Sequence, residues 1–270
     1  IDGNSISRTF EVIRFGVIGA GRIGKIHAAN LANSVPGAEV SAIADINLKS
    51  AQDAAARLHI PQALADYHHI LSDASIDAVA ICSSTDTHAQ IVTEAAQAGK
   101  HIFCEKPIAH DLAQIDAALD VVKGAGVKLQ VGFNRRFDPN FAHVRQMVAQ
   151  GKVGDLHILR ITSRDPAPPP VAYVKVSGGM FLDMTIHDFD MARFLSGSEV
   201  EEVYTAAGVM VDPEIGEAGD VDTAVITLRF ANGAIGTIDN SRQAIYGYDQ
   251  RVEVFGSGGM VQALNNTPNS

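Results

Sequence analysis

Three side chains in this sequence have the types and placing that acid–base chemistry on a hydroxyl group requires. Asp183 and His187 stand four apart in a segment, 180–195, read as a helix, so both side chains project from one face toward a common point. A neutral imidazole there can accept a hydroxyl proton. Lys106, placed just before Pro107, carries an ammonium that can stabilise an oxygen as negative charge develops on it. Asp183 can hold either that ammonium or a hydroxyl of the bound molecule. Each feature also has an ordinary reading: a lysine before proline as an exposed turn, and an Asp–His pair as solvated helix surface. A metal is the sharper rival, because Asp183, His187, Asp188 and Asp190 include ligand types. No cysteine or second histidine stands nearby at a ligand spacing, so no metal is expected.

A second constellation is made of glycines. Gly19-Ala20-Gly21-Arg22-Ile23-Gly24 directly follows a short apolar run and opens a helical segment, the context that turns a weak glycine pattern into a dinucleotide signal. Gly19 permits a tight turn, Gly21 lets backbone approach a pyrophosphate, and Gly24 lets helix and strand pack closely. Asp45 ends the next apolar run, where a carboxylate accepts ribose hydroxyls and repels a 2′-phosphate, so NAD is expected over NADP. Arg22 dissents, since a cation supports a phosphate, and is assigned to the pyrophosphate, with Ile23 beside it. A later loop, Ser83-Ser84-Thr85-Asp86-Thr87-His88, leaves another strand end. Ser83, Ser84 and His88 are candidate cofactor contacts there, or plain helix caps.

The elements needed to position these groups are legible. Runs at 13–18, 38–44, 78–82, 101–104 and 128–131 are apolar with little alternation, as strands buried on both faces are. Between them, 47–58, 86–98, 111–122 and 138–149 read as helices with Asp or Asn near their starts, two of them halting at Gly99 and Gly151. After Gly154 the texture becomes strand-like at 156–163, 200–209, 223–230, 234–239 and 251–255. Asn232-Gly233 between two of these runs signals an antiparallel hairpin. The proline-rich 166–170 reads as an extended loop. The expected fold is therefore α/β: a doubly wound parallel sheet over 13–135, then an α+β domain over 136–270 with a mostly antiparallel open sheet.

Composition agrees and excludes much. The 270 residues are 46% hydrophobic, enough to bury substantial cores, and the net charge of −10 is scattered along the chain, so nucleic acid is not expected as a partner. No apolar run approaches the roughly 20 residues that span a bilayer, and 1–10 lack a signal-peptide core. Cys82 and Cys104 lie in apolar runs, which suits a reducing, cytoplasmic setting. The first dozen residues match no element. The chain closes at 265–270 on a polar string straight after a strand, which leaves open that the second domain is cut short.

With Glu105-Lys106-Pro107 after a strand, and Gly178-Gly179 followed by Asp183-x-x-x-His187-Asp188, the sequence resembles the Gfo/Idh/MocA oxidoreductase family. Gly132-Phe133-Asn134-Arg135-Arg136-Phe137-Asp138 and Ser163-Arg164-Asp165-Pro166 look most like its inositol 2-dehydrogenase branch, and the resemblance runs over about 13–260. It implies a Rossmann domain, a catalytic triad at Lys106, Asp183 and His187, and Glu105 near the nicotinamide. The activity implied is NAD-dependent oxidation of a secondary alcohol on a cyclic polyol, myo- or scyllo-inositol to the inosose. Asn134, Arg164, Asp165 and Tyr246 are candidate polyol contacts, though Tyr246 in its Tyr-Gly-Tyr loop suits packing equally. Asp190 and Arg136 read as helix-orienting and ion-pairing residues, and His27, His68, His69, His101 and His157 as structural or exposed. Family chains usually run longer than 270 residues and associate through the open sheet, so a homotetramer or dimer is implied. A glucose-type aldose dehydrogenase and a non-catalytic dinucleotide-sensing regulator remain as rivals.

Overall fold

The computed structural model describes residues 12–265. The readings made for the opening residues and for the closing polar string fall outside the described residues, Val12 and Asn265 apart. The chain divides after Gly132 into two compact units, where the sequence put a domain boundary at 135/136.

In the first unit, β1 (Ile13–Ile18), α1 (Arg22–Asn33), β2 (Ala38–Ala44), α2 (Leu48–Leu58), β3 (Gln62–Leu64), α3 (His68–Ser72), β4 (Ala78–Ile81), α4 (Thr85–Gln97), β5 (His101–Cys104), α5 (Leu112–Ala125) and β6 (Leu129–Val131) alternate. The strands form one parallel sheet in the order β3-β2-β1-β4-β5-β6. Helices cover both faces, which is why the strands are apolar on both sides. Val79 and Ile81 pack with Ile91, Val92, Ala118 and Val122 of α4 and α5. Between them Ala80 points the other way, into Ala28, Ala51 and Ala54 of α1 and α2. Side-chain caps start some of the helices as expected, Asn47 accepting from the Ser50 N–H and Asp111 from the Gln114 N–H, whereas α4 begins without a side-chain cap and Asp86 lies in its first turn. Sequence reasoning missed β3 and α3, because three and five residues are too short to show a period.

The second unit opens with a tight 3-10 turn (Asn134–Phe137), followed by α6 (Pro139–Ala149), β7 (Leu156–Arg164), α7 (Val171–Ser177), a wide π turn (Phe181–Thr185) and α8 (Ile186–Ser196). Then come β8 (Val200–Gly208), α9 (Pro213–Glu217), β9 (Thr223–Phe230), β10 (Ile235–Ser241), β11 (Asp249–Gly256) and β12 (Gly259–Ala263). Their sheet runs β12-β11-β7-β10-β9-β8, antiparallel except where β7 lies along β10. Along β9, Ala224, Ile226, Leu228 and Phe230 face a core shared with Phe141 and Val144 of α6 and Met191 and Leu195 of α8. The opposite face is open, with Tyr204, Val225, Ile235 and Phe255 exposed. The Asn232-Gly233 turn joins β9 to β10, with Gly233 at φ +86°. Sequence reasoning missed β12, α7, α9 and the π turn that interrupts the helix read at 180–195.

Candidate active site

The glycines of the first unit answer to different constraints. Gly19 holds φ +102°, and a Cβ on it would lie 2.5 Å from the Cys82 carbonyl oxygen. A Cβ on Gly24 would run into the Gly19 carbonyl, so α1 packs as closely as it does against the end of β1 because Gly24 lacks a side chain, while Gly19 makes room for the end of β4. Gly21 is different. Its φ is −70° and a Cβ would meet nothing within 4 Å, so neither strain nor packing within the described chain calls for glycine there. Space left open above a helix start without a side-chain cap is what the approach of an anion needs. Asp45 secures this loop: Oδ2 accepts from the Ala20 N–H at 2.6 Å and Oδ1 from the Asn47 N–H at 2.8 Å. Its remaining lone pairs can take ribose hydroxyls. Ser50 donates to the Ala20 carbonyl at 3.1 Å from the other side. These residues fit a dinucleotide: the exposed Gly21 and Arg22 and the partly buried Ile23 and Asp45 would hold it, with Gly19 and Gly24 making room.

The loop carrying Lys106 is held from two directions. Glu105 Oε1 lies 2.6 Å from His27 Nε2 of α1, and Glu105 Oε2 accepts from the Lys106 N–H at 3.3 Å. Burial alone would raise the Glu105 carboxyl, but the hydrogen bond and charge of His27 outweigh it and hold the group below the usual glutamate range. On the far side of Lys106, the Pro107 carbonyl lies 2.8 Å from His88 Nδ1, whose Nε2 faces the Ser83 carbonyl at 3.1 Å. His88 is 2% exposed, and its ring ties the two loops together. The Ser83 hydroxyl shares a 2.7 Å hydrogen bond with Thr87, while Ser84 is exposed at the start of α4. Burial pushes the Cys82 thiol up to about 12 and raises Cys104 as well, so neither is a ready nucleophile.

In the second unit, one face of the Asp183–His187 segment is anchored by buried polar residues. The Thr185 hydroxyl donates to Asn240 Oδ1 of β10 at 2.7 Å, and Asn240 Nδ2 donates to Asp188 Oδ2 at 2.9 Å. Asp188, wholly buried, also pairs with Arg135, which donates to the Ser163 hydroxyl of β7 at 3.0 Å. Asp183 and His187 alternate with these anchors and remain only partly buried. Asp183 sits inside the π turn, a feature often found at functional sites. Its Oδ1 accepts from the Tyr173 hydroxyl at 2.9 Å and its Oδ2 from Arg242 Nη1 at 3.1 Å. The Phe133 and His187 rings meet edge to face, 6.3 Å apart. Asp165 Oδ2 lies 3.8 Å from Arg242 Nη1. Burial raises the Asp165 carboxyl against the opposing pull of Arg242 and Arg135.

Not every predicted contact joins this group. Ser163 points into the buried network, so the next residue, Arg164, points to the open face. There it donates to Asp239 Oδ1 at 2.6 Å and to the Tyr246 hydroxyl at 2.9 Å, and Tyr246 donates on to Asp249. Arg164 and Tyr246 are thus tied to one another and to two carboxylates. Asn134 is exposed on the 3-10 turn. Arg136 and Asp190 form a two-pronged ion pair at 2.8 and 2.5 Å within the unit. Sequence reasoning missed Arg242, Tyr173 and Asn240, and took His27 for a structural or exposed residue with no tie to the Lys106 loop. Among the described residues, no group of three or more His, Cys, Asp and Glu could hold a metal ion, and no helix is long and apolar enough to cross a membrane.

Known proteins resemble this chain over nearly its whole length. The profile described as the oxidoreductase family with an NAD-binding Rossmann fold matches residues 13–133, and the GFO/IDH/MocA C-terminal domain matches 141–262. Myo-inositol 2-dehydrogenase of Thermotoga maritima is 54% identical over 253 residues, covering 94% of this chain and 75% of that protein. Inositol 2-dehydrogenase of Rhizobium meliloti is 50% identical, covering 95% and 77%. The crystal structure of scyllo-inositol dehydrogenase from Lactobacillus casei, with bound NAD(H) and scyllo-inositol, superposes with a TM-score of 0.88 at 33% identity, over 96% of this chain and 77% of that one. With both halves of the family pattern matched and half its residues shared with such relatives, this chain is a member of the Gfo/Idh/MocA family of NAD-binding oxidoreductases.

Proposed function

We propose that this chain oxidises one secondary hydroxyl of an inositol, myo or scyllo, to the inosose, using NAD. NAD, when bound at the glycine loop, supplies the acceptor for the hydride that leaves the carbinol carbon. The protein's own residues manage the other half of the reaction. His187, as neutral imidazole, takes the hydroxyl proton while the C–O bond becomes a carbonyl. Lys106 stabilises negative charge building on that oxygen, and Asp183 holds a hydroxyl of the substrate. Asn134 and Asp165 are proposed polyol contacts, because each ring hydroxyl left buried and unpaired costs about 1–3 kcal/mol. The observation that carries this reading is the presentation of Asp183 and His187 from a helix pinned by Thr185 and Asp188, in a chain that also bears the dinucleotide loop.

Two coarser features are read with it. The open face of the second sheet, with Tyr204, Val225, Ile235 and Phe255 exposed, is the proposed contact with further copies of the chain in a dimer or tetramer. The two free, buried cysteines suit a cytoplasmic enzyme. The test is NADH formation by the purified chain on a panel of inositols and aldoses with NAD and NADP. Turnover on myo- or scyllo-inositol with NAD is expected. NAD binding without turnover on any inositol would overturn the reading, and preference for an aldose would redirect it.

A further inference from the structure

We propose that Arg242 is the positioning residue for Asp183, fixing the direction of its carboxylate and keeping a permanent positive charge against it; the inference rests on the role proposed above for Asp183. Arg242 follows β10 directly. Its backbone N–H donates to the Asp222 carbonyl at 2.8 Å, and its side chain is 3% exposed. The chain there is fixed, so the guanidinium is aimed by the sheet. Nη1 meets Asp183 Oδ2 at 3.1 Å and stands 3.8 Å from Asp165 Oδ2. The Tyr173 hydroxyl grips the other Asp183 oxygen from α7. Arg242 on one oxygen and Tyr173 on the other, from two separate segments, hold the carboxylate against rotation.

The donors that Arg242 leaves unused make the point sharper. Its Nε and Nη2 are buried and have no hydrogen-bond partner among the described residues. A purely structural arginine in such a place would spend its donors, and a methionine of similar volume would fill the space without orphaning any. What the position keeps, at that cost, is the charge at Nη1. Asp183, so gripped, serves as an acceptor of hydrogen bonds, and the alcohol proton goes to His187.

The experiment is a double-mutant cycle of R242M and D183N, with R242K alongside, assayed with NAD and the inositol turned over fastest, each variant checked by thermal melting. R242M is expected to lower kcat about 100-fold, the cost of a misplaced reacting group, with little change in the KM for NAD. R242K restores part of that loss. On the D183N background R242M costs almost nothing further, because residues acting as a unit are not additive. A D183N enzyme of undiminished turnover would sink the proposed function itself. With D183N impaired, an R242M enzyme of parental kcat, or an R242M loss undiminished on the D183N background, would overturn the role given to Arg242. Should R242M not fold, the same cycle run with R242K decides, its loss expected to vanish on the D183N background.

Discussion

The two units bury polar side chains very differently. Among the described residues, two polar side chains are buried in the first unit, His88 and Lys100, and ten in the second, among them Ser163, Thr185, Asp188, Asn240 and Arg242. The proposed nucleotide site of the first unit is largely backbone: glycines that clear space and a helix start with no side-chain cap. Such a surface needs only an apolar sheet beneath it. The second unit must hold charged groups in fixed directions within a core, and a buried charge is tolerable only when paired and hydrogen-bonded. The proposed nucleotide site is therefore built mainly by leaving side chains out, and the proposed acid–base group rests on a lattice of buried ones.

Breaking that lattice is expected to give the largest effect on stability. Arg135→Met leaves Asp188 buried beside Asn240 without its cation, and should cost about 3–5 kcal/mol in denaturant unfolding. Unchanged stability would show that the network does not support the second unit. The glycines of the first unit sharpen the contrast. Gly24→Ala forces a Cβ against backbone and should cost about 1–3 kcal/mol. Gly21→Ala should leave melting unchanged while weakening NAD binding about tenfold, or about 1.4 kcal/mol, by calorimetry. Equal effects of the two on stability would remove the distinction.

The smallest expected effect has the opposite sign. Burial raises the folded-state pKa of Asp165 above its ordinary 3.8, against the pull of Arg242 and Arg135. The unfolded chain therefore gives up this proton first, and stability falls as pH rises from the ordinary aspartate range through the raised value. Asp165→Asn removes that penalty and should stabilise the protein at neutral pH by less than about 1 kcal/mol, while lowering turnover. Melting temperatures across pH test it: the parent's decline in that window should be missing from the variant, and a variant less stable at neutral pH would contradict the assignment.

The same contrast explains what could be read in the sequence. Gly19, Gly21, Gly24 and Asp45 are reached by a strand, a turn and the next strand, so the nucleotide loop was legible from spacing and the strands from their unbroken apolar runs. Asp183 and His187 stand out as a pair because they are only four residues apart, although the π turn carries the first and α8 the second. Arg242 was not legible, because it meets Asp183 from 59 residues away, and Asn240 meets Asp188 from 52. A long-range pairing leaves no local pattern. The direction of Arg164 follows from a simpler rule: it neighbours the inward Ser163, and one step along a strand turns a side chain to the other face.

The most direct test of the account is the His187→Ala enzyme, with NAD binding and NADH formation from the preferred inositol measured separately. The account predicts kcat lower by about 10²–10⁴-fold with NAD affinity unchanged, since the proton acceptor and the dinucleotide loop belong to different units. Turnover undiminished in that variant would contradict it.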